Sequence, residues 1–199
     1  KTQIAAVCKK IPKEWLNTYY KDNGKLSGHI SHHVPGVEFS TGSLGHGLSV
    51  AVGMALAARH AGAKHRVFCL MSDGDCDEGS TWEAIMFAAQ HKFDNLTAIV
   101  DYNRVQALGH VEDVIELEPF SKKIEAFGWA VREIDGHNYG EIENVLSRLP
   151  IEKGRPSFII ARTIKGKGVS WMEDTVSCHY GSVSDEELAK ALKELGVDK

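Results

Sequence analysis

No run of lysines and arginines occurs in the 199-residue sequence, and no stretch interleaves basic with aromatic side chains. A nucleic-acid surface needs such a footprint, and a net charge of −4 adds nothing toward one. The apolar stretches are strand-length or broken by Gly, His and Arg, so no segment reads as a membrane-spanning helix. Cysteine is scarce: Cys8, Cys69, Cys76 and Cys178 form no CxxC pair and have no zinc spacing. Free thiols in a reducing cytoplasm are the expectation. No GxxxxGK[ST] loop occurs, which excludes a Walker-type nucleotide site. No signal peptide, internal repeat or low-complexity linker is visible in these residues. The chain opens on Lys1 rather than Met, so an upstream portion is expected to be missing.

What is present alternates strand and helix. Lys1–Lys10 and Pro12–Asp22 read as short helices. Asn23–Gly47 reads as loop, with six glycines, one proline and four histidines. Leu48–His60 is small and apolar on nearly every side and predicts a buried helix. Strands are expected at Arg66–Met71, Leu96–Asp101, Trp129–Ile134 and Ser157–Thr163. Helices are expected at Ser80–Lys92, Pro119–Phe127, Tyr139–Leu149 and Asp185–Leu195. Ser80 with Glu83, and Ser184 with Glu187, have the spacing of capping boxes. Trp82 and Phe87 read as core. Continuous apolar strands between helices imply an α/β fold, a mostly parallel sheet with helices on both faces. One domain over residues 1–199 is expected. In such sheets the ligand crevice lies beyond the carboxyl ends of the strands.

One of those ends is crowded with acid. The strand ending in Met71 runs into Ser72-Asp-Gly-Asp-Cys-Asp-Glu78, and carboxylates this close repel unless water or a cation screens them. An EF-hand is excluded, because Glu78 stands at the sixth position and Ala84 at the twelfth, and a strand precedes the loop. Gly42-Ser-Leu-Gly-His-Gly47 precedes a helix, a phosphate-friendly arrangement that is weak evidence alone. Asp73 and Asn103 lie 103 − 73 = 30 residues apart, one βαβ unit. A carboxylate and a carboxamide oxygen at adjacent strand ends are hard ligands that suit magnesium, which completes its shell with phosphate and water.

Asp73-Gly74 followed one βαβ unit later by Asn103 resembles the thiamine-diphosphate signature. Ser72–Ala84 is similar to the GDGxxxEGxxWEA segment of the transketolase family, and Pro35–Ala55 to its PGVExxTGxLGQGxxxAVGxA segment. Phe93–Asn103 and Lys165–Asp174 match as well, so the resemblance runs from about Gly28 to the C-terminus. It implies the diphosphate-binding domain of that family, lacking the family's upstream segment with its SGH and KGHA histidines. It further implies that Asp73, Asn103 and the Val105 carbonyl bind Mg²⁺, for which Ca²⁺ or Mn²⁺ could substitute. Gly74 would present its N–H to the diphosphate, and Gly42 and Leu44 would contact the pyrimidine ring. Glu78 and Glu83 match acids that link paired active sites. His29 is expected at substrate oxygens, and His179 near the diphosphate and the donor sugar. Three positions depart from the pattern: Ser72 replaces a glycine, Ser43 replaces a proline, and Tyr180 intervenes before Gly181. The turn glycines Gly166 and Gly168 stay open between a plain turn and substrate contact.

The resemblance implies transfer of a two-carbon ketol unit from a ketose phosphate to an aldose, with thiamine diphosphate and Mg²⁺. The glutamate that activates the cofactor belongs, in the family, to a pyrimidine-binding domain for which this chain has no room. Pairing with a C-terminal-half partner in a heterotetramer is therefore expected, in the cytoplasm, with no nucleic acid and no membrane; the alternative is that these residues are one piece of a longer polypeptide. Three alternatives stay open: a deoxyxylulose-phosphate synthase-like enzyme, a 2-oxoacid dehydrogenase component, and a non-catalytic cofactor-binding fragment.

Overall fold

The computed structural model describes residues 11–197, so the helix expected over Lys1–Lys10 lies outside the described residues. Two compact units divide at Gly47. In the first, Ile11, Leu26 and Val34 form a small core with Trp15, Leu16 and Val37 against it. The expected helix over Pro12–Asp22 is reduced there to a 3₁₀ turn, Lys13–Thr18.

The second unit carries the sheet. Its strands are β1 (Val67–Ser72), β2 (Leu96–Tyr102), β3 (Ala130–Asp135) and β4 (Ser157–Arg162). All pairings are parallel, in the order β1-β2-β4-β3. The helices are α1 (His46–His60), α2 (Gly79–Gln90), α3 (Val111–Val114), α4 (Phe120–Ala126), α5 (Tyr139–Ser147) and α6 (Asp185–Glu194). The α/β reading therefore holds. Central β2 and β4 are buried almost throughout, as near-continuous apolar strands must be when a sheet is covered. On edge strand β1, Val67, Cys69 and Met71 are buried, while Phe68 and Leu70 face the other way and stay about half exposed.

One core joins α1, α2 and α4 to the sheet. Phe158 on β4 takes the edges of Phe120 and Trp129, with centroids 5.7 and 5.6 Å away. The buried Trp129 indole donates to the Ile85 carbonyl at 2.9 Å, so α2 is tied to the start of β3 by a satisfied polar contact.

Some boundaries differ from those the sequence predicts. Helix α1 starts two residues early, inside the expected loop. Ser80 does not cap α2: Glu78 holds the N-cap position, with no side-chain cap bond, because the chain enters the helix directly from a 3₁₀ turn, Gly74–Asp77. The Ser184–Glu187 capping box on α6 is complete. Trp82 packs against the core, but Phe87 is exposed and meets the His91 ring at a tilt of 39°. Helix α3 and a 3₁₀ turn at Val176–His179 have no counterpart among the expected elements.

Candidate active site

Ser72 pairs with Asp101 at the end of the β1–β2 ladder. Asp73 and Asn103 are thus each the first residue beyond neighbouring strands. Asp73 is only 2% exposed. Its carboxylate accepts the Gly74 N–H at 2.9 Å and, across to the next strand tip, the Arg104 N–H at 2.7 Å. The second bond requires Arg104 to turn back, and it does so in the left-handed region, at φ 64°. A non-glycine residue there is uncommon, and such strain is sustained only where the surroundings impose it. Asn103 Oδ1 accepts the Val105 N–H at 3.1 Å. The Val105 carbonyl accepts from the Lys165 ammonium at 3.0 Å, and that ammonium lies 3.2 Å from His179 Nδ1.

Burial pushes the Asp73 carboxyl above its ordinary value, and the charge of Asp101 adds to this. The N–H bonds from Arg104 and Gly74 and the field of Lys165 oppose it. The His179 imidazole is pulled down, first by desolvation and then by Lys165. Burial, then the neighbouring acids, push the Cys76 thiol far up, so it is inert packing rather than a nucleophile.

The crowded acids are separated by direction. Asp73 turns inward. Asp75 bonds back to the Ser72 N–H at 2.9 Å and the Ser72 hydroxyl at 3.0 Å, so serine at this position locks the loop. Asp77 lies toward Gln106, its carboxyl raised mainly by burial. Glu78 and Glu83 are exposed on the single chain. Helix α2 clamps the loop from above: Thr81 donates to the Asp75 carbonyl, and Trp82 to the Cys76 carbonyl at 2.8 Å. A cleft of about 340 Å³ opens beside Asn103, walled by Arg104, His110, Thr163, Glu173 and Asp174.

In the first unit, His29 packs on Gly42. A side chain at Gly42 would put its Cβ 2.8 Å from His29 Cγ, and φ there is +146°, so glycine is needed twice over. Leu44 is exposed, and its carbonyl contacts His46 Nδ1 at 2.9 Å. The structure therefore gathers Asp73, Gly74, Asn103, Val105 and His179 in one unit, and His29 with Gly42 in the other. The Gly74 N–H, expected to face a phosphate, is held by Asp73.

The donor set can be tested against a divalent ion. Among the described residues no three His, Cys, Asp or Glu side chains gather as a metal cage. One carboxylate, one carboxamide and one carbonyl instead leave room for phosphate and water, the arrangement magnesium prefers. A cationic group already rests on the Val105 carbonyl, so that oxygen does attract positive charge.

A family model described as "Transketolase, thiamine diphosphate binding domain" matches residues 10–199. The chain belongs to the transketolase family. It is 43% identical over 186 residues to one component of the apulose-4-phosphate transketolase of Actinobacillus succinogenes, covering 93% of this chain and 67% of that protein. It is 40% identical to the 6-deoxy-6-sulfo-D-fructose transketolase subunit of a Clostridium species, covering 93% of this chain and 68% of that protein. The crystal structure of Campylobacter jejuni transketolase superposes with a TM-score of 0.87 at 34% identity, over 93% of this chain and 30% of that one. This transketolase chain thus corresponds to the N-terminal, thiamine-diphosphate-binding half. No helix among the described residues is long and apolar enough to cross a membrane.

Two participants carry no signal of their role in the sequence. Lys165 lies within a segment that matches the family, beside the turn glycines. Its one mark is that it is a cation at a strand's carboxyl end, and Arg162 and Lys167 beside it share that mark. Arg104 acts through its main chain, and nothing in its letter announces a left-handed residue.

Proposed function

We propose that this chain is the cofactor-anchoring subunit of a two-part transketolase, moving a two-carbon ketol unit from a ketose phosphate to an aldose. The observation that carries this is the pair of adjacent strand tips that bring forward oxygens of Asp73, Asn103 and Val105, the last already holding a lysine ammonium. Asp73, Asn103 and the Val105 carbonyl would hold Mg²⁺, with Ca²⁺ or Mn²⁺ as substitutes, and Gly74 would lie against the diphosphate. Thiamine diphosphate, when bound, supplies the electron sink for breaking and remaking a carbon–carbon bond. Gly42 and Leu44 would border its pyrimidine. His29 and His179 would orient substrate hydroxyls and hold or pass protons at their ring nitrogens. Glu78 and Glu83, exposed on the single chain, would be covered by the C-terminal-half partner in a heterotetramer. The relatives' names support a sugar substrate with an anionic end. A cytoplasmic setting accords with Cys69, Cys76 and Cys178 forming no disulfide among the described residues.

The test is reconstitution. The chain mixed with a candidate pyrimidine-binding half should convert xylulose 5-phosphate and ribose 5-phosphate, and neither part alone should do so. Consumption of pyruvate with glyceraldehyde 3-phosphate in place of ketol transfer would reassign it to the synthase class.

A further inference from the structure

Lys165 has no role in the reading above, yet it sits at its centre. The turn after β4 aims it there. Gly166, at φ 76°, reverses the chain, and the Asp174 N–H closes the turn on the Lys165 carbonyl at 3.0 Å. The ammonium donates to the Val105 carbonyl, touches His179 and lends its field to Asp73. Arg104, the neighbouring cation, is committed to Glu112 at 3.0 Å. A buried carboxylate needs a partner charge or a metal, and Lys165 is the side chain placed to supply the charge.

The same carbonyl cannot serve the ammonium and a divalent ion together without the two cations repelling. We propose that Lys165 is a displaceable counter-ion: it occupies the Val105 carbonyl until a metal arrives with a diphosphate, then moves on its flexible stem to a phosphate oxygen. This inference rests on the metal–diphosphate reading and deepens it. It makes loading of the two groups cooperative. A bare metal must evict a cation that gains nothing in exchange, whereas a metal carrying diphosphate offers the evicted ammonium a new anionic partner.

The experiment uses the full chain with Lys165→Met, which keeps the stem and removes the charge, and Lys165→Arg, which keeps the charge. Mn²⁺ alone is titrated by electron paramagnetic resonance, and inorganic pyrophosphate with Mg²⁺ by calorimetry. Lys165→Met should bind bare Mn²⁺ about fivefold more tightly and Mg²⁺-pyrophosphate about tenfold more weakly, opposite signs from one substitution. Lys165→Arg should keep the wild-type weakness for bare Mn²⁺. If Lys165→Met shifts both affinities in one direction, or neither, the counter-ion role is overturned while wild-type pyrophosphate uptake leaves the site reading standing. A wild-type chain that takes up no pyrophosphate with Mg²⁺ overturns both.

Discussion

Replacing Asp73 by Asn separates the two things this residue does. The side chain keeps its shape and one oxygen but loses its charge and its second acceptor. One of the two backbone donors, Gly74 N–H at 2.9 Å or Arg104 N–H at 2.7 Å, must then face an NH₂ group. An unsatisfied buried donor costs about 1–3 kcal/mol. Against this, the native carboxylate is ionised against its surroundings, since burial raises its pKa above 3.8. A raised folded value means that stability is fully present below the unfolded pKa and lost as pH rises through the folded one. At neutral pH the charge therefore weakens the chain without metal, and the amide escapes that loss. The two effects oppose, so Asp73→Asn should change unfolding free energy by no more than about 2 kcal/mol, less than the roughly 3–5 kcal/mol for breaking a paired buried charge. Metal binding has no such compensation. Losing the anionic ligand should weaken Mg²⁺-dependent uptake of thiamine diphosphate by at least about 100-fold, or roughly 2.8 kcal/mol. Urea denaturation without metal measures the first quantity, and calorimetric titration beside the partner half the second. A variant that unfolds far more easily yet keeps cofactor uptake within a few-fold would show that Asp73 is scaffold and not ligand.

Gly166→Ala should loosen the turn that presents Lys165, because a Cβ there would collide with the Met172 carbonyl at a φ of 76°. Faster proteolysis within residues 164–175 and a loss of about 1–2 kcal/mol in stability are expected, and an unchanged melting curve would contradict the strain. Lys165→Met should also raise the His179 pKa toward the ordinary 6.5, since one of the two causes that depress it is removed. With the folded value depressed, His179 contributes stability above pH 6.5 that is lost as pH falls through the lowered value, and the variant should narrow that window. A proton NMR titration of the ring reads this directly, and an imidazole indifferent to the substitution would separate the two residues.

The sheet is legible in the sequence because parallel strands buried on both faces leave unbroken apolar words such as LTAIVD and SFIIAR, and because turn residues punctuate them. Asp73 and Asn103 are legible because their letters name their oxygens and their spacing equals a βαβ unit. The cap of α2 is not, since Ser80 and Glu83 have the right spacing while the preceding 3₁₀ turn, set by Asp73 accepting the Gly74 N–H, decides where the helix begins. Phe87 misleads because a short amphipathic pattern does not say which apolar positions a neighbouring element covers. Lys165 is silent because its meaning lies in a contact with a carbonyl 60 residues away, and no local pattern encodes that.

The third oxygen of the proposed metal shell is main-chain, which makes the site unequal under mutation. In that shell any residue at 105 would bring a carbonyl, whereas positions 73 and 103 would have to keep their side-chain oxygens. A gene copy released from selection would therefore betray itself at two letters while its sheet still folded. Inspecting residues 73 and 103 would then distinguish a working copy from a relic sooner than overall similarity could.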